Sequence, residues 1–245
     1  MAPSARWEAS AGTASTQETA GRARSGAGPA DDHATGRTRG WVTGVGDLLL
    51  VRHGETEWSR SGRHTSFTDL PLTDRGREHA RALAPLIAGQ HITAAFTSPL
   101  RRARETAELI GHDDARVDPD LCEWDYGGYE GITTADIQRT RPDWFLFTDG
   151  VAPGPPEHPG ERPEEVGARA DRMLAKADAA LASATDGGGV LLVAHGHFLR
   201  VLTARRLGLP PSGGALFQMA TGTLARLGTE HGRPVLSGWN VTPRS

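Results

Sequence analysis

Two short apolar runs in this chain each end in a histidine and a glycine. Leu48, Leu49, Leu50 and Val51 pass straight into Arg52-His53-Gly54-Glu55-Thr56, and Val190, Leu191, Leu192, Val193 and Ala194 pass into His195-Gly196-His197. A buried strand that delivers charged side chains at its carboxyl end is where open α/β sheets bind ligands. Two such strands predict two imidazoles brought face to face over one pocket. A neutral imidazole can attack phosphorus, and a neighbouring arginine can neutralise non-bridging oxygens. Glycine after the histidine lets backbone and ligand approach closely. Arg-His taken alone is more often a core histidine beside a surface arginine, so further residues must decide.

Two other segments supply them. In Thr97-Ser98-Pro99-Leu100-Arg101-Arg102-Ala103-Arg104, a strand end, a proline and a helix start place one arginine near the carboxyl edge of the sheet. Arg101 and Arg104 read comfortably as a solvated helix face. In Leu121-Cys122-Glu123-Trp124-Asp125-Tyr126-Gly127 a carboxylate stands between bulky apolar groups. Such surroundings favour a protonated carboxyl and suit it to proton donation. His195-x-His197 has metal-ligand spacing, yet no carboxylate or third histidine stands at a comparable strand end, so no metal site is expected. Cys122, the single cysteine, excludes an internal disulfide; a cysteine phosphatase would need an arginine where this chain has Gly128.

The elements that must position these residues alternate. Leu48–Val51 is a first strand, and Thr73 or Asp74 caps a helix to about residue 88, with Ala80, Leu83, Ala84 and Ile87 on one face. Ala94–Thr97 is a second strand, and Pro99 opens a helix running to Ile110. A short helix capped by Thr133 or Thr134 ends before Pro142, and the Pro/Gly/Glu-rich stretch 150–163 reads as a mobile loop. Pro163 opens a long helix whose Val166, Ala170, Met173, Leu174, Ala177 and Leu181 are core positions. After Val190–Ala194 come a helix from about Phe198 to Leu207 and a hairpin, Thr223–Leu227 with Val235–Trp239. Alternation of this kind predicts one doubly wound α/β sheet with helices on both faces.

Composition narrows the partners. The net charge of −3 provides no global basic field for nucleic acid or an anionic membrane. No apolar stretch approaches the roughly 20 residues of a membrane span, and no signal-type apolar core leads the chain, so a cytoplasmic protein is expected. Residues 1 to 46, rich in Ala, Gly, Ser and Thr without an apolar period, are expected to be a disordered extension.

Jointly and in this order, Arg52-His53-Gly54-Glu55, Arg102, Glu123 and His195-Gly196 resemble the histidine phosphatase superfamily, which includes cofactor-dependent phosphoglycerate mutases and many acid phosphatases. The resemblance covers residues 47 to 241. It implies a single, mostly parallel sheet of the phosphoglycerate mutase-like kind and a metal-independent phosphomonoester hydrolase. His53 would be the phosphorylated nucleophile and Glu123 the proton donor. Arg52, Arg102 and His195 would line the phosphate pocket, with the positive charge of His195 matching that of the transition state. Arg102 rather than Arg101 fits, standing four residues after Ser98 and directly before Ala103. Thr65, with Ser66 beside it, would contact phosphate oxygens, as would Gly196 and Ser59, the last standing where the mutase pattern has asparagine. No cofactor is implied; the partner is a small phosphorylated substrate, and a homodimer is allowed.

The same resemblance separates hydrolase from mutase. After Glu123 come Trp124, Asp125, Tyr126, Glu130, Thr133 and Thr134, without the basic residues of the mutase pattern. An acidic and aromatic wall would repel a carboxylate-bearing phosphate and tolerate a neutral polyol or sugar, which favours a sugar-phosphate phosphatase over a phosphoglycerate mutase. A non-catalytic phosphate-binding module would need neither nucleophile nor proton donor. Trp144, Phe145, Phe147 and the 150–163 loop would serve either as a lid or as ordinary packing.

Overall fold

Four consecutive apolar residues can be buried on both sides only inside a sheet covered on both faces. In the computed structural model, which describes residues 46–185 and 187–243, Leu48–Arg52 form that strand, β1, with Leu48 to Val51 fully buried. The expected disordered extension lies, apart from Gly46, outside the described residues. Helices α1 (Glu57–Ser61) and α2 (Asp74–Ala88) follow, then β2 (Ile92–Thr97), α3 (Arg101–Leu109) and a two-residue strand β3 (Arg116–Val117). Next come α4 (Thr134–Gln138), α5 (Leu146–Asp149), the long α6 (Pro163–Ser183), β4 (Gly189–Ala194) and α7 (Gly196–Arg206). The hairpin β5 (Leu224–Glu230) and β6 (Arg233–Val241) closes the order.

The six strands form one sheet in the order β3-β2-β4-β1-β5-β6. The pairs β3-β2, β2-β4 and β4-β1 are parallel, and β1-β5 and β5-β6 antiparallel. Alternation along β1 builds the two cores. Leu48 and Leu50 join the cluster supplied by α6 and α7, while Leu49 and Val51 join that of α2 and α3. The register pairs Arg52 with Ala194, so the residue after each, His53 and His195, leaves the sheet at one level. That alignment makes the site.

Several boundaries move for physical reasons. Leu100, not Pro99, caps α3, so the proline lies outside the helix it was expected to open. Helix α7 starts at Gly196 rather than Phe198, because its first N–H groups find a carboxylate described below. The 150–163 loop has no regular structure before α6, yet it is tied down. Gly128 donates to the Ala152 carbonyl at 2.8 Å, Glu161 N–H donates to Asp125 at 2.9 Å, and His158 stacks on Phe67 at 3.9 Å. Trp144 and Phe147 are buried in the core, which makes them packing residues, and only Phe145 is exposed. Among the described residues no helix is long and apolar enough to cross a membrane.

Candidate active site

His53 is buried where β1 ends, with its backbone N–H held by the Ala194 carbonyl at 3.0 Å. Its Nδ1 lies 2.7 Å from the Gly54 carbonyl, an acceptor only, so Nδ1 carries the hydrogen. The lone pair is therefore on Nε2, the atom left for the cavity that His53 lines. Burial, then the charges of Arg102 and Arg52, hold the imidazole well below its usual protonation range. A neutral, oriented imidazole is what nucleophilic attack requires. Gly54 was expected to admit a ligand; what it admits is backbone. A Cβ there would stand 2.4 Å from the Gly76 carbonyl oxygen at the start of α2.

His195 meets His53 with ring centroids 5.1 Å apart, as the paired strand ends predict. Its own nitrogens are both engaged. Arg102 Nε donates to Nδ1 at 3.2 Å, which leaves the hydrogen on Nε2, 2.7 Å from Ser98 Oγ. Burial and the charges of Arg102, His53 and Arg52 push its protonation well below the usual histidine range. The expected imidazolium is thus replaced by a neutral ring, because an arginine already occupies the acceptor nitrogen. The same bonds remove His195 from metal ligation, and among the described residues no three potential ligands converge.

Arg102 is fully buried, and both of its Nη nitrogens donate to a loop. Nη1 donates to Thr68 O, and Nη2 to Thr65 O and Ser66 O, at 3.0 to 3.1 Å. Glu130 takes the opposite side of that loop, accepting from the N–H groups of Ser66 and Thr68. Arg102 was expected to line the phosphate pocket; it stands behind the wall and fixes the loop that does. Ser66 is buried between these two charges and does not line the cavity, whereas Thr65 does. Ser59 also lines it, yet its hydroxyl is committed to the capping box of α1, donating to Thr56 O and accepting from Thr56 N–H.

Arg52 reaches the cavity directly. Its Nη1 donates to the Met219 carbonyl, and its Nε is buried without a hydrogen-bond partner. A buried unpaired donor beside a neutral imidazole is unfavourable unless something accepts from it, and a phosphate oxygen is a strong acceptor. Gly196 makes room for this guanidinium: a Cβ there would stand 2.9 Å from Arg52 Cζ and 3.0 Å from Nε.

Glu123 is buried, but not in the apolar box that its neighbours in sequence suggest. Its Oε1 accepts from Trp124 N–H at 2.9 Å and Phe198 N–H at 2.8 Å, and Oε2 from His197 N–H at 3.1 Å. The last two belong to the first turn of α7, so the carboxylate caps that helix. Oε1 has both lone pairs engaged and Oε2 keeps one, which makes Oε2 the oxygen able to carry a proton. Arg169 of α6 fixes the segment from behind, donating to the carbonyls of Asp120, Cys122 and Glu123 while paired with Glu161. Neither Arg169 nor Glu161 stood out in the sequence.

The cavity holds about 200 Å³, and Arg52, His53, Glu123, His64, Tyr126 and His197 line it. Tyr126 Oη and His197 Nδ1 are 2.6 Å apart, and His64 stacks near His197 at 6.1 Å. Burial keeps both imidazoles neutral and raises the Tyr126 hydroxyl well above its usual range, so all three are uncharged. The expected acidic wall is absent from this lining. Asp125 turns to Gly127 N–H and Glu130 to the loop, and the charged groups that join Arg52 and Glu123 are Arg63 and Arg200.

The sequence matches the family described as the histidine phosphatase superfamily (branch 1) over residues 48–242. An acid phosphatase of Mycobacterium tuberculosis is 41% identical over 187 residues, 76% of this chain and 87% of that protein. A sedoheptulose 1,7-bisphosphatase of Saccharomyces cerevisiae is 35% identical over 186 residues, 66% of this chain and 67% of that protein. The solved structure of the Mycobacterium tuberculosis open reading frame Rv3214 has a TM-score of 0.75 at 39% identity, covering 81% of this chain and 99% of that one. With His53, Arg52 and the capped Glu123 carboxylate lining one cavity, and with a family match over nearly all of the described residues, the chain belongs to the histidine phosphatase superfamily.

Proposed function

We propose that the protein hydrolyses a small phosphate ester, such as a sugar phosphate, through a phosphohistidine on His53 and without a metal. The observation that carries this reading is the Nδ1–H bond to Gly54, which turns the Nε2 lone pair to a cavity shared with Arg52 and Glu123. Nε2 attacks phosphorus in line with the ester oxygen; the P–N bond forms as the P–O bond breaks. The leaving oxygen takes the bonding pair and a proton from Glu123 Oε2. As the ring becomes positive, its Nδ1–H bond to the Gly54 carbonyl strengthens. Arg52, whose Nε lacks a partner, binds the non-bridging oxygens and the charge they gain. Water then attacks phosphorus, its proton passes to Glu123, and the P–N pair returns to His53.

The relatives' names point to acid and sugar-bisphosphate phosphatases. Hydrolysis of p-nitrophenyl phosphate in EDTA, followed by an alkaline quench and intact-mass measurement, tests the proposal. Turnover with a transient 80 Da adduct on wild type, absent from His53→Ala, is the expected result, 80 Da being roughly the mass of a phosphoryl group. Turnover without dependence on His53 overturns it. If 3-phosphoglycerate were isomerised faster than any ester is hydrolysed, the mutase reading would replace it.

A further inference from the structure

We propose that Arg169, braced by Glu161, is a positioning residue for proton donation, setting the Glu123 carboxylate from two sides, through its backbone and through Phe198. This deepens the phosphatase reading and rests on it, since there Glu123 protonates the leaving oxygen.

Glu123 to Tyr126 belong to no helix or strand. Their main chain therefore depends on side chains for its hydrogen bonds. Arg169 of α6 is one source. Its Nη1 donates to the carbonyls of Asp120 and Cys122, each at 2.9 Å, and its Nη2 to that of Glu123 at 3.1 Å. The two remaining hydrogens make a bidentate pair with Glu161, Nε to Oε1 and Nη2 to Oε2, each at 2.7 Å. A guanidinium has five N–H donors, and here each has an acceptor.

Glu161 holds the residues that follow. Its Oε2 also accepts from Asp125 N–H at 3.0 Å, and its carbonyl accepts from the Trp124 indole at 2.9 Å. On its other side the Arg169 guanidinium lies 4.9 Å from the Phe198 ring, and Phe198 N–H is the 2.8 Å donor to Glu123 Oε1. One guanidinium thus touches both the backbone that carries the carboxylate and the residue whose N–H orients it. Neither Arg169 nor Glu161 lines the cavity, so neither would meet the substrate. Their side chains are only 13% and 20% exposed, so removing one leaves the other charge poorly solvated and free to shift.

A proton donor must stand within hydrogen-bond reach of the leaving oxygen, and a displacement of about 1 Å can cost roughly a hundredfold. The cost falls only on esters whose leaving oxygen needs the proton. Phenyl phosphate is such an ester, and p-nitrophenyl phosphate, which adds only a nitro group, leaves as a stable anion. Glu161→Gln and Arg169→Met should each lower kcat for phenyl phosphate by about tenfold or more and for p-nitrophenyl phosphate by less than about threefold, with KM unchanged. Arg169→Lys, which keeps the charge with fewer donors, should restore part of the loss. Arg172→Gln is the control: Arg172 grips the same segment only at the Asp120 carboxylate, and both activities should stay as in wild type. Added to Glu123→Gln, Glu161→Gln should cost little more on phenyl phosphate, because the proton to be placed is gone. Glu161→Gln is nearly isosteric and decides the question even if Arg169→Met fails to fold. Equal losses on the two esters, or losses that multiply in the double variant, overturn the positioning role. Absence of phosphate release from both esters by the wild type would instead overturn the phosphatase reading, and this inference with it.

Discussion

Strands β1 and β4 lie side by side in register, each ends in His-Gly, and their two imidazoles are put to different uses. On β1 a backbone carbonyl takes the Nδ1 hydrogen and leaves Nε2 open to the cavity. On β4 an arginine fills Nδ1 and a serine faces Nε2, so the ring has nothing left to give. Identical dipeptides thus become one imidazole with a free nitrogen and one with none through the partners of their ring nitrogens. The glycines diverge as well. Gly54 admits the backbone of α2, and Gly196 admits the guanidinium of Arg52.

The sharpest way to break this contrast is to remove each imidazole in turn. His53→Ala should lower kcat by about ten-thousandfold, the scale for losing a covalent nucleophile, with the fold intact by circular dichroism. His195→Asn should cost far less in kcat and still form the phosphoenzyme. Equal losses in the two variants, with no adduct in either, would make the pair a single catalytic unit.

The first two turns of α7 offer a second contrast. Its N-terminus closes on the Glu123 carboxylate, and its next turn sends Arg200 to carbonyls. Glu123→Gln should reduce kcat by about 10²- to 10³-fold for an alkyl phosphate, whose leaving oxygen needs a proton. The loss should be much smaller for p-nitrophenyl phosphate, whose leaving group is stable as an anion. The variant should also be less stable by about 1–3 kcal/mol. However the amide is turned, its NH₂ faces a backbone N–H that the carboxylate oxygen accepted. A leaving-group-independent loss would show Glu123 to be a helix cap alone.

Neutral imidazoles tie the site to acid stability. His53, His64 and His195 are buried, and burial is the first cause that holds each below its usual protonation range. Their folded affinities for protons are depressed, so above about pH 6.5 neither state binds these protons and stability is unaffected. Below it the unfolded chain takes them up and the native state does not. Stability should then fall by roughly 1.4 kcal/mol per pH unit for each histidine. Urea titrations between pH 7.5 and 5 measure this slope, and His64→Gln should make it shallower. A flat profile over that range would mean the rings are protonated in place.

The alternation of strands and helices was legible because each buried strand is a continuous apolar run and each helix carries a 3.6-residue apolar face. The two-residue β3 has no such signal, and the edge position that it takes is set only by the rest of the sheet. His53, Arg52, Glu123 and His195 were legible as residues, since strand ends and their neighbours in sequence mark them. Their states were not. Whether Glu123 sits in an apolar box or under a helix N-terminus depends on α7, which follows it by more than seventy residues in the chain. Arg200 read as one arginine among many, because arginine is common here and only the packing on Phe147 and Gly214 separates it from a solvated one. Ser59 stands where the mutase pattern has asparagine, and the capping box of α1 claims its hydroxyl; Ser66 stands beside Thr65, and its backbone N–H and carbonyl are held by Glu130 and Arg102, far from it in sequence.

The smallest change concerns the two glycines. A Cβ on residue 54 meets backbone at 2.4 Å, which cannot yield without moving α2, so Gly54→Ala should damage folding itself. A Cβ on residue 196 meets only the end of an arginine side chain, at 2.9 to 3.3 Å. Arg52 can swing, but it then leaves the Met219 carbonyl and the cavity edge where its Nε awaits an acceptor. Gly196→Ala should therefore raise KM for p-nitrophenyl phosphate by about tenfold, the scale of one charge-assisted contact, while the melting temperature stays within a few degrees. Loss of kcat at constant KM would place Arg52 on the transition state alone. A collapse in stability equal to that of Gly54→Ala would mean that both His-Gly pairs are backbone devices, and that Arg52 owes its position to something other than the missing side chain of Gly196.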